Sequence, residues 1–346
     1  MTRKDYCPDG FLNGLYDTLR GEPFASVCDK ASAEAAAEEV RQTLREVLAL
    51  PVLENMRTNA SPVPVGEPIC AEDYTIQKYA HALLPGLTAA VYLLTPRKLS
   101  APAPGVVALC GHGYGVRQII GVTKNDRPKR LPYLDDYQRH FALELVKRGC
   151  IVAAPEPVAF GQARLAKDLR KPFYASSCDT VSHHLLIYGL NTAGVRVFQA
   201  IACADFLLSL PGTDPGRLGV MGISGGGLAA LYAAAADERF ARAVVSGYAC
   251  TFRESILARW HCPDNYIPGI LRIGEIGDLA AAVAPRRLLI ESGTRDPLFP
   301  IEGARDAHER ARRVYRLFGA EDALTVDEFD GRHRVHGARS FDFLAE

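Results

Sequence analysis

No excess of charge of either sign marks this chain of 346 residues: Lys+Arg and Asp+Glu each number 40. The basic field that nucleic acid or anionic lipid would require is therefore missing, and neither partner is expected. Long apolar runs are missing too. The most apolar stretch, Leu228–Ala236, falls well short of the roughly 20 residues that span a bilayer. The opening MTRKDYCPDG has no apolar core of the kind a secretory signal carries. The nine cysteines are an odd number with none in C-x-x-C spacing, and Cys110, Cys150 and Cys250 sit in or beside apolar runs. Free thiols there behave as small hydrophobes, so a reduced, cytoplasmic setting is expected. Gly222–Gly227 lacks G-x-G-x-x-G spacing and there is no Walker lysine, so no nucleotide cofactor is expected. His183 and His184 are adjacent and point apart, while His261 and Cys262 are isolated from further ligands. A structural zinc needs about four ligands, and no metal is expected.

Against these absences stands one stretch rich in chemistry, Arg217–Ala236. Arg217–Met221 is a short apolar run after the turn cluster Pro211–Gly216, and reads as a buried parallel strand. Leu228–Ala236 is rich in Ala and Leu and reads as a helix. Between them Gly222-Ile223-Ser224-Gly225-Gly226 matches G-x-S-x-G in its strand–turn–helix setting. So sharp a turn strains the serine backbone and leaves no room for a Cβ at its flanks. Ser224 is thereby raised at the N-terminus of a helix, whose free N–H groups favour an anion.

Strands and helices alternate through the rest of the chain. A helix near Ser32–Leu50 belongs to an N-terminal extension, residues 1–68, that ends in a linker marked by Pro62, Pro64, Gly66 and Pro68. The remainder, 69–346, reads as a single catalytic domain. It opens with a hairpin, Tyr74–His81 and Leu87–Thr95, and a buried strand, Val106–Cys110. That strand runs into Gly111-His112-Gly113-Tyr114-Gly115, whose glycines can turn N–H groups toward a substrate. Further strands are expected at Cys150–Ala154, Ala241–Ser246, Pro285–Glu291 and Leu324–Phe329, in βαβ alternation. Two insertions, at about 155–190 and 247–282, interrupt the alternation above the strand ends, where α/β sheets place ligands. The basic loop carrying Lys124, Arg127, Lys129 and Arg130 reads as solvated.

Three signals follow predicted strands in the order Ser, Asp, His. A serine hydroxyl is a weak nucleophile and needs an imidazole to take its proton. The imidazole needs a carboxylate to fix its tautomer and stabilise its charged form. Ser224 is the candidate nucleophile and Asp296, fixed before Pro297, the candidate acid, with Asp330 and Asp264 weaker. Two histidines compete as the base. His333 comes sooner after the last strand, in a Gly-containing turn, and is preferred; His336, just before Gly337, is the alternative. The oxyanion donors are expected at Gly225 and Tyr114, with Gly113 as alternative. His112 is expected to brace its loop or touch substrate; Trp260 and Tyr248, in the second insertion, are candidate pocket residues.

The segments MGISGGG, CGHGYG, SGTRDPLFP and the terminal H-x-x-H-G resemble the dienelactone-hydrolase-like and acetyl-xylan-esterase-like branch of the α/β-hydrolases. The resemblance covers roughly residues 70–346. It implies a mostly parallel central sheet flanked by helices, Ser224, Asp296 and His333 as nucleophile, acid and base, and oxyanion donors at Tyr114 and Gly225. Dienelactone hydrolases proper carry cysteine at the elbow, so the chemistry of that substrate is not implied. The expected activity is cofactor-independent cleavage of carboxylic esters, short acyl or acetyl esters foremost. A serine peptidase of the same fold and a non-catalytic ligand-binding scaffold are the alternatives. The expected partner is a small-molecule ester, and the extension and insertions offer surfaces for a homodimer.

Overall fold

The computed structural model describes residues 6–99, 102–113, 115–123, 125, 137–172 and 174–346. Tyr114, Lys124, Arg127, Lys129 and Arg130 lie outside them. The chain begins with three helices, α1 (Asp9–Leu19), α2 (Lys30–Val47) and α3 (Leu50–Asn55). Asp29 caps α2 by accepting from the Ser32 N–H at 2.8 Å, satisfying a donor that the first turn leaves open. Ala33, Ala37, Val40 and Leu44 recur at helical spacing and are all buried against the body of the protein.

A meander of β1 (Val63–Cys70), β2 (Tyr74–Leu84) and β3 (Leu87–Pro96) follows. The expected proline linker is in fact the edge strand β1. Among the described residues it pairs only with β2, with a register shift between Val65 and Ile69, and proline is tolerated at an edge because its missing N–H faces no ladder partner. The chain then alternates: β4 (Ala103–Leu109), α4 (Phe141–Lys147), β5 (Ile151–Pro155), α5 (Cys178–Ile187), α6 (Thr192–Leu208), β6 (Thr213–Ile223), α7 (Gly225–Ala236) and β7 (Arg242–Ser246). The short helices α8 (Ile270–Ile273) and α9 (Ile276–Ala281) precede β8 (Arg287–Gly293), α10 (Ile301–Leu317), β9 (Leu324–Phe329) and α11 (Ser340–Ala345). Among the described residues no single helix is long and apolar enough to cross a membrane.

One sheet orders its strands β1-β2-β3-β5-β4-β6-β7-β8-β9. From β5 to β9 every neighbouring pair is parallel, while β1, β2 and β3 add antiparallel. Both faces of the parallel part are covered, so its central strands carry continuous buried apolar runs whose successive residues enter opposite cores. Val107, Val220, Val245 and Ile290 join the core under α2, α6 and α7. Their neighbours Val106, Met221, Val244 and Leu289 join the core under α4 and α11. Because β4 lies between β5 and β6, the connections leaving β4 and β6 diverge. The crevice at their carboxyl ends is the place where such sheets bind ligands.

Candidate active site

Ser224 stands at that crevice, between β6 and α7. Its backbone is held at φ 58°, ψ −124°, a conformation costly for any residue with a Cβ. The surroundings enforce it. A Cβ on Gly222 would run into the Gly226 carbonyl, one on Gly226 into the Leu109 carbonyl, and the Ser224 N–H is tied to Ser246 O at 3.0 Å. Gly225 opens α7, where backbone N–H groups have no acceptor within the helix.

Asp296 follows β8 and is buried. Its Oδ1 accepts from the N–H groups of Leu298 at 2.8 Å and Phe299 at 3.2 Å, which leaves Oδ2 for His333 Nδ1 at 2.7 Å. A carboxylate there places the proton on Nδ1, so Nε2 is an acceptor. That Nε2 is buried and has no hydrogen-bond partner among the described residues. The His333 ring is clasped between Tyr137 and Phe299, stacked at 5.5 and 5.7 Å between centroids, and lies against Gly247, where a Cβ would sit 3.1 Å from its Cε1. Gly247 adjoins Ser246, the residue that anchors Ser224, so histidine and serine flank the same strand end.

His336 is engaged elsewhere. Its Nδ1 meets Asp327 Oδ2 at 2.7 Å, its ring stacks on Phe329 at 4.4 Å, and its N–H donates to the buried Glu291 carboxylate at 3.1 Å. Of the two histidines, only His333 contacts Asp296. The weaker acid candidates are also placed apart: Asp330 is exposed in an ion pair with Arg295, and Asp264 is buried against Arg196 and His112.

The loop after β4 faces the elbow. Tyr114 lies outside the described residues; Gly113 beside it has φ 135°, open to glycine alone. Two buried side chains hold the loop. Gln138 Oε1 accepts from the Gly111 N–H at 2.8 Å, and Glu156 accepts from the N–H groups of Val116 at 2.9 Å and Gln162 at 3.2 Å. Burial pushes the Glu156 carboxyl up to about 7 against those two hydrogen bonds. Tyr137 spans the site, donating its hydroxyl to His112 O at 2.5 Å while its ring covers His333. Neither Tyr137 nor Glu156 was anticipated as a site residue from the sequence: Tyr137 read as part of a helix, which in fact starts only at Phe141, and Glu156 as part of the first insertion.

His112 packs over Gly225, where a Cβ would sit 2.7 Å from its Cε1. Burial disfavours its charged form, but the Asp264 carboxylate 3.2 Å away prevails and lifts the imidazole to about 9. Arg196 meets the same carboxylate, lies 4.3 Å from the Phe160 ring centre and donates to Val158 O at 3.1 Å. Cys262, expected to be isolated from further metal ligands, is brought by the fold to within 4.8 Å of His112 and Asp264. Two expected pocket residues fall elsewhere. Tyr248 is fully buried with its hydroxyl 3.0 Å from that of Tyr232, and Trp260 is 78% exposed, too open to roof a site.

A strained serine turn between a central parallel strand and its helix, with an acid after the eighth strand and a histidine after the ninth, belongs to the α/β-hydrolases. This chain has that fold. Its sequence matches the Abhydrolase family over residues 21–330, and it belongs to that family; the match takes in α2 and α3. The Bacillus subtilis (strain 168) protein named "Putative hydrolase YtaP" is 26% identical over 243 residues, covering 69% of this chain and 75% of the relative. Among solved structures, a "putative acetyl xylan esterase" from Bacteroides fragilis superposes with TM-score 0.79 at 18% identity, over 95% of this chain and 84% of its own. A glucuronoyl esterase from Solibacter usitatus superposes with TM-score 0.61 at 17% identity, over 94% of this chain and 96% of its own.

Proposed function

We propose that this protein is a serine hydrolase of carboxylic esters that works through an acyl-enzyme, with Ser224 as nucleophile, His333 as general base and acid, and Asp296 as its orienting carboxylate. The observation that carries the reading is the His333 Nδ1–Asp296 Oδ2 bond of 2.7 Å, which leaves the buried Nε2 open beside the strained Ser224 turn. Ser224 Oγ attacks the ester carbonyl carbon as its proton passes to His333 Nε2, and the charge on the carbonyl oxygen is met by the Gly225 N–H and a second N–H from the loop after β4. Collapse breaks the carbon–oxygen bond to the alcohol, which leaves with the proton from His333. Water then repeats the sequence on the acyl-enzyme and frees the acid. Asp296 stays ionised throughout and stabilises the imidazolium. Acetyl and other short acyl esters are the proposed substrates; the name of the Bacteroides fragilis structure supports that choice.

The test is fluorophosphonate labelling with the modified peptide located by mass spectrometry, alongside turnover of p-nitrophenyl acetate. Wild-type protein should carry the adduct on Ser224. Ser224→Ala should lose adduct and turnover, and His333→Ala should lose turnover while His336→Ala retains it. A folded wild-type protein with no adduct and no turnover of acetyl, butyryl or methyl esters would refute the proposal.

A further inference from the structure

Beside the elbow three metal-ligating side chains from separate segments converge, and a fourth, Cys178, lies against two of them. His112 comes from the loop after β4, Cys178 begins α5 in the first insertion, and Cys262 and Asp264 flank Pro263 in the second. A His112 ring nitrogen, Cys262 Sγ and an Asp264 oxygen all lie within 4.8 Å of one another. The Cys178 thiol lies against both Cys262 and His112. We propose that this cluster binds one soft divalent cation of the zinc class, through His112 Nε2, the two thiolates and an Asp264 oxygen.

The donor set is the first argument: two sulfurs, one imidazole and one carboxylate are four ligands of the types that zinc takes in tetrahedral sites. The geometry is the second. The buried His112 Nε2 faces Asp264 Oδ2 at 3.2 Å, and among the described residues no hydrogen bond of good geometry reaches it. Tetrahedral bonds of about 2.0–2.1 Å place neighbouring nitrogen and oxygen ligands roughly 3.3 Å apart, so a cation fits where a linear hydrogen bond does not form. Charge is the third. A dication with two thiolates and one carboxylate leaves a net negative charge, which a low-dielectric site tolerates poorly. The buried Arg196 neutralises it: its guanidinium meets Asp264 and donates to Cys178 Sγ at 3.7 Å, an outer-shell role toward two of the ligands. A bound ion would join both insertions to the loop after β4.

The experiment uses the full chain, reduced and stripped with a chelator, titrated with Zn2+ against a chromophoric competitor and with Co2+ for its spectrum. One equivalent should bind per chain, and Co2+ should show a thiolate charge-transfer band that the double variant Cys178→Ser, Cys262→Ser lacks. Each single cysteine variant should weaken Zn2+ binding by at least about tenfold. Replacing the exposed His183 and His184 by alanine should change nothing. A measurement on wild-type protein covers the case of a variant that fails to fold. In mildly destabilising urea, Zn2+ should slow the alkylation of Cys178 and Cys262 by N-ethylmaleimide more than that of Cys110 and Cys203, buried thiols outside the cluster. Binding below one equivalent, a charge-transfer band that survives in the double variant, or the absence of selective shielding overturns the proposal. None of these readouts involves ester turnover, so they stand or fall apart from the hydrolase assignment.

Discussion

Replacing Ser224 by glycine should inactivate the protein yet leave it more stable than the equally inactive Ser224→Ala variant. The serine sits at φ 58°, ψ −124°, where a Cβ is strained by about 1–3 kcal/mol. Glycine removes that strain, but its unfolded chain is more mobile, which costs about 0.5–1 kcal/mol. Alanine is the proper reference, because Ser224→Ala discards the same hydroxyl and keeps the Cβ. The balance favours glycine over alanine by about 0.5–2 kcal/mol. Melting entropy near 2.1 cal/mol/K per residue gives roughly 0.7 kcal/mol/K for 346 residues, so the glycine variant should melt about 1–3 °C above the alanine variant. Urea unfolding followed by tryptophan fluorescence and circular dichroism measures the same difference in free energy. Both variants should be inactive on p-nitrophenyl acetate. A glycine variant no more stable than the alanine variant would refute the idea that the turn stores strain around its serine.

Asp296→Asn keeps an acceptor for the Leu298 and Phe299 N–H groups but offers His333 the wrong partner, fixing the wrong tautomer. Turnover should fall about 10⁴-fold, equivalent to about 5 kcal/mol in the barrier, with stability nearly unchanged; a loss under tenfold in kcat would contradict the role. His336→Ala should do the reverse, lowering stability by about 1–2 kcal/mol through the lost Asp327 bond and Phe329 contact while kcat stays within a few-fold. Glu156 is raised from 4.5 to about 7, so it holds its proton more tightly in the folded state than in the unfolded one. Its contribution is full below pH 4.5 and is lost as pH rises through 7, on the order of 3 kcal/mol across that window. Stability of Glu156→Gln relative to wild type should therefore rise between pH 5 and pH 8. The variant-minus-wild-type difference is the quantity to follow, because His308, buried and lowered to about 4, drives wild-type stability the opposite way at acid pH. A difference that does not change with pH would show that Glu156 ionises normally in the folded protein.

Local order is largely written in the sequence. The strand, turn and helix around Ser224 need only an apolar run, close-set glycines and an alanine-rich stretch, and each acts within a few residues. Strand ends before Asp296 and His333 follow from the same punctuation. Where a pattern has two physical meanings, neighbours decide. Val63–Cys70, with its prolines, reads as a linker but becomes an edge strand because β2 supplies a ladder on one side and nothing competes on the other. His333 and His336 stand three residues apart in one loop, and no spacing rule separates them. Asp327 on β9 and Glu291 on β8 engage His336, while the Asp296 loop reaches only His333. Tyr137, Glu156 and the meeting of His112, Cys178, Cys262 and Asp264 are products of the tertiary fold alone. Their partners are distant in the chain, and contact between distant segments comes from strand order and helix packing, which a single sequence determines without displaying.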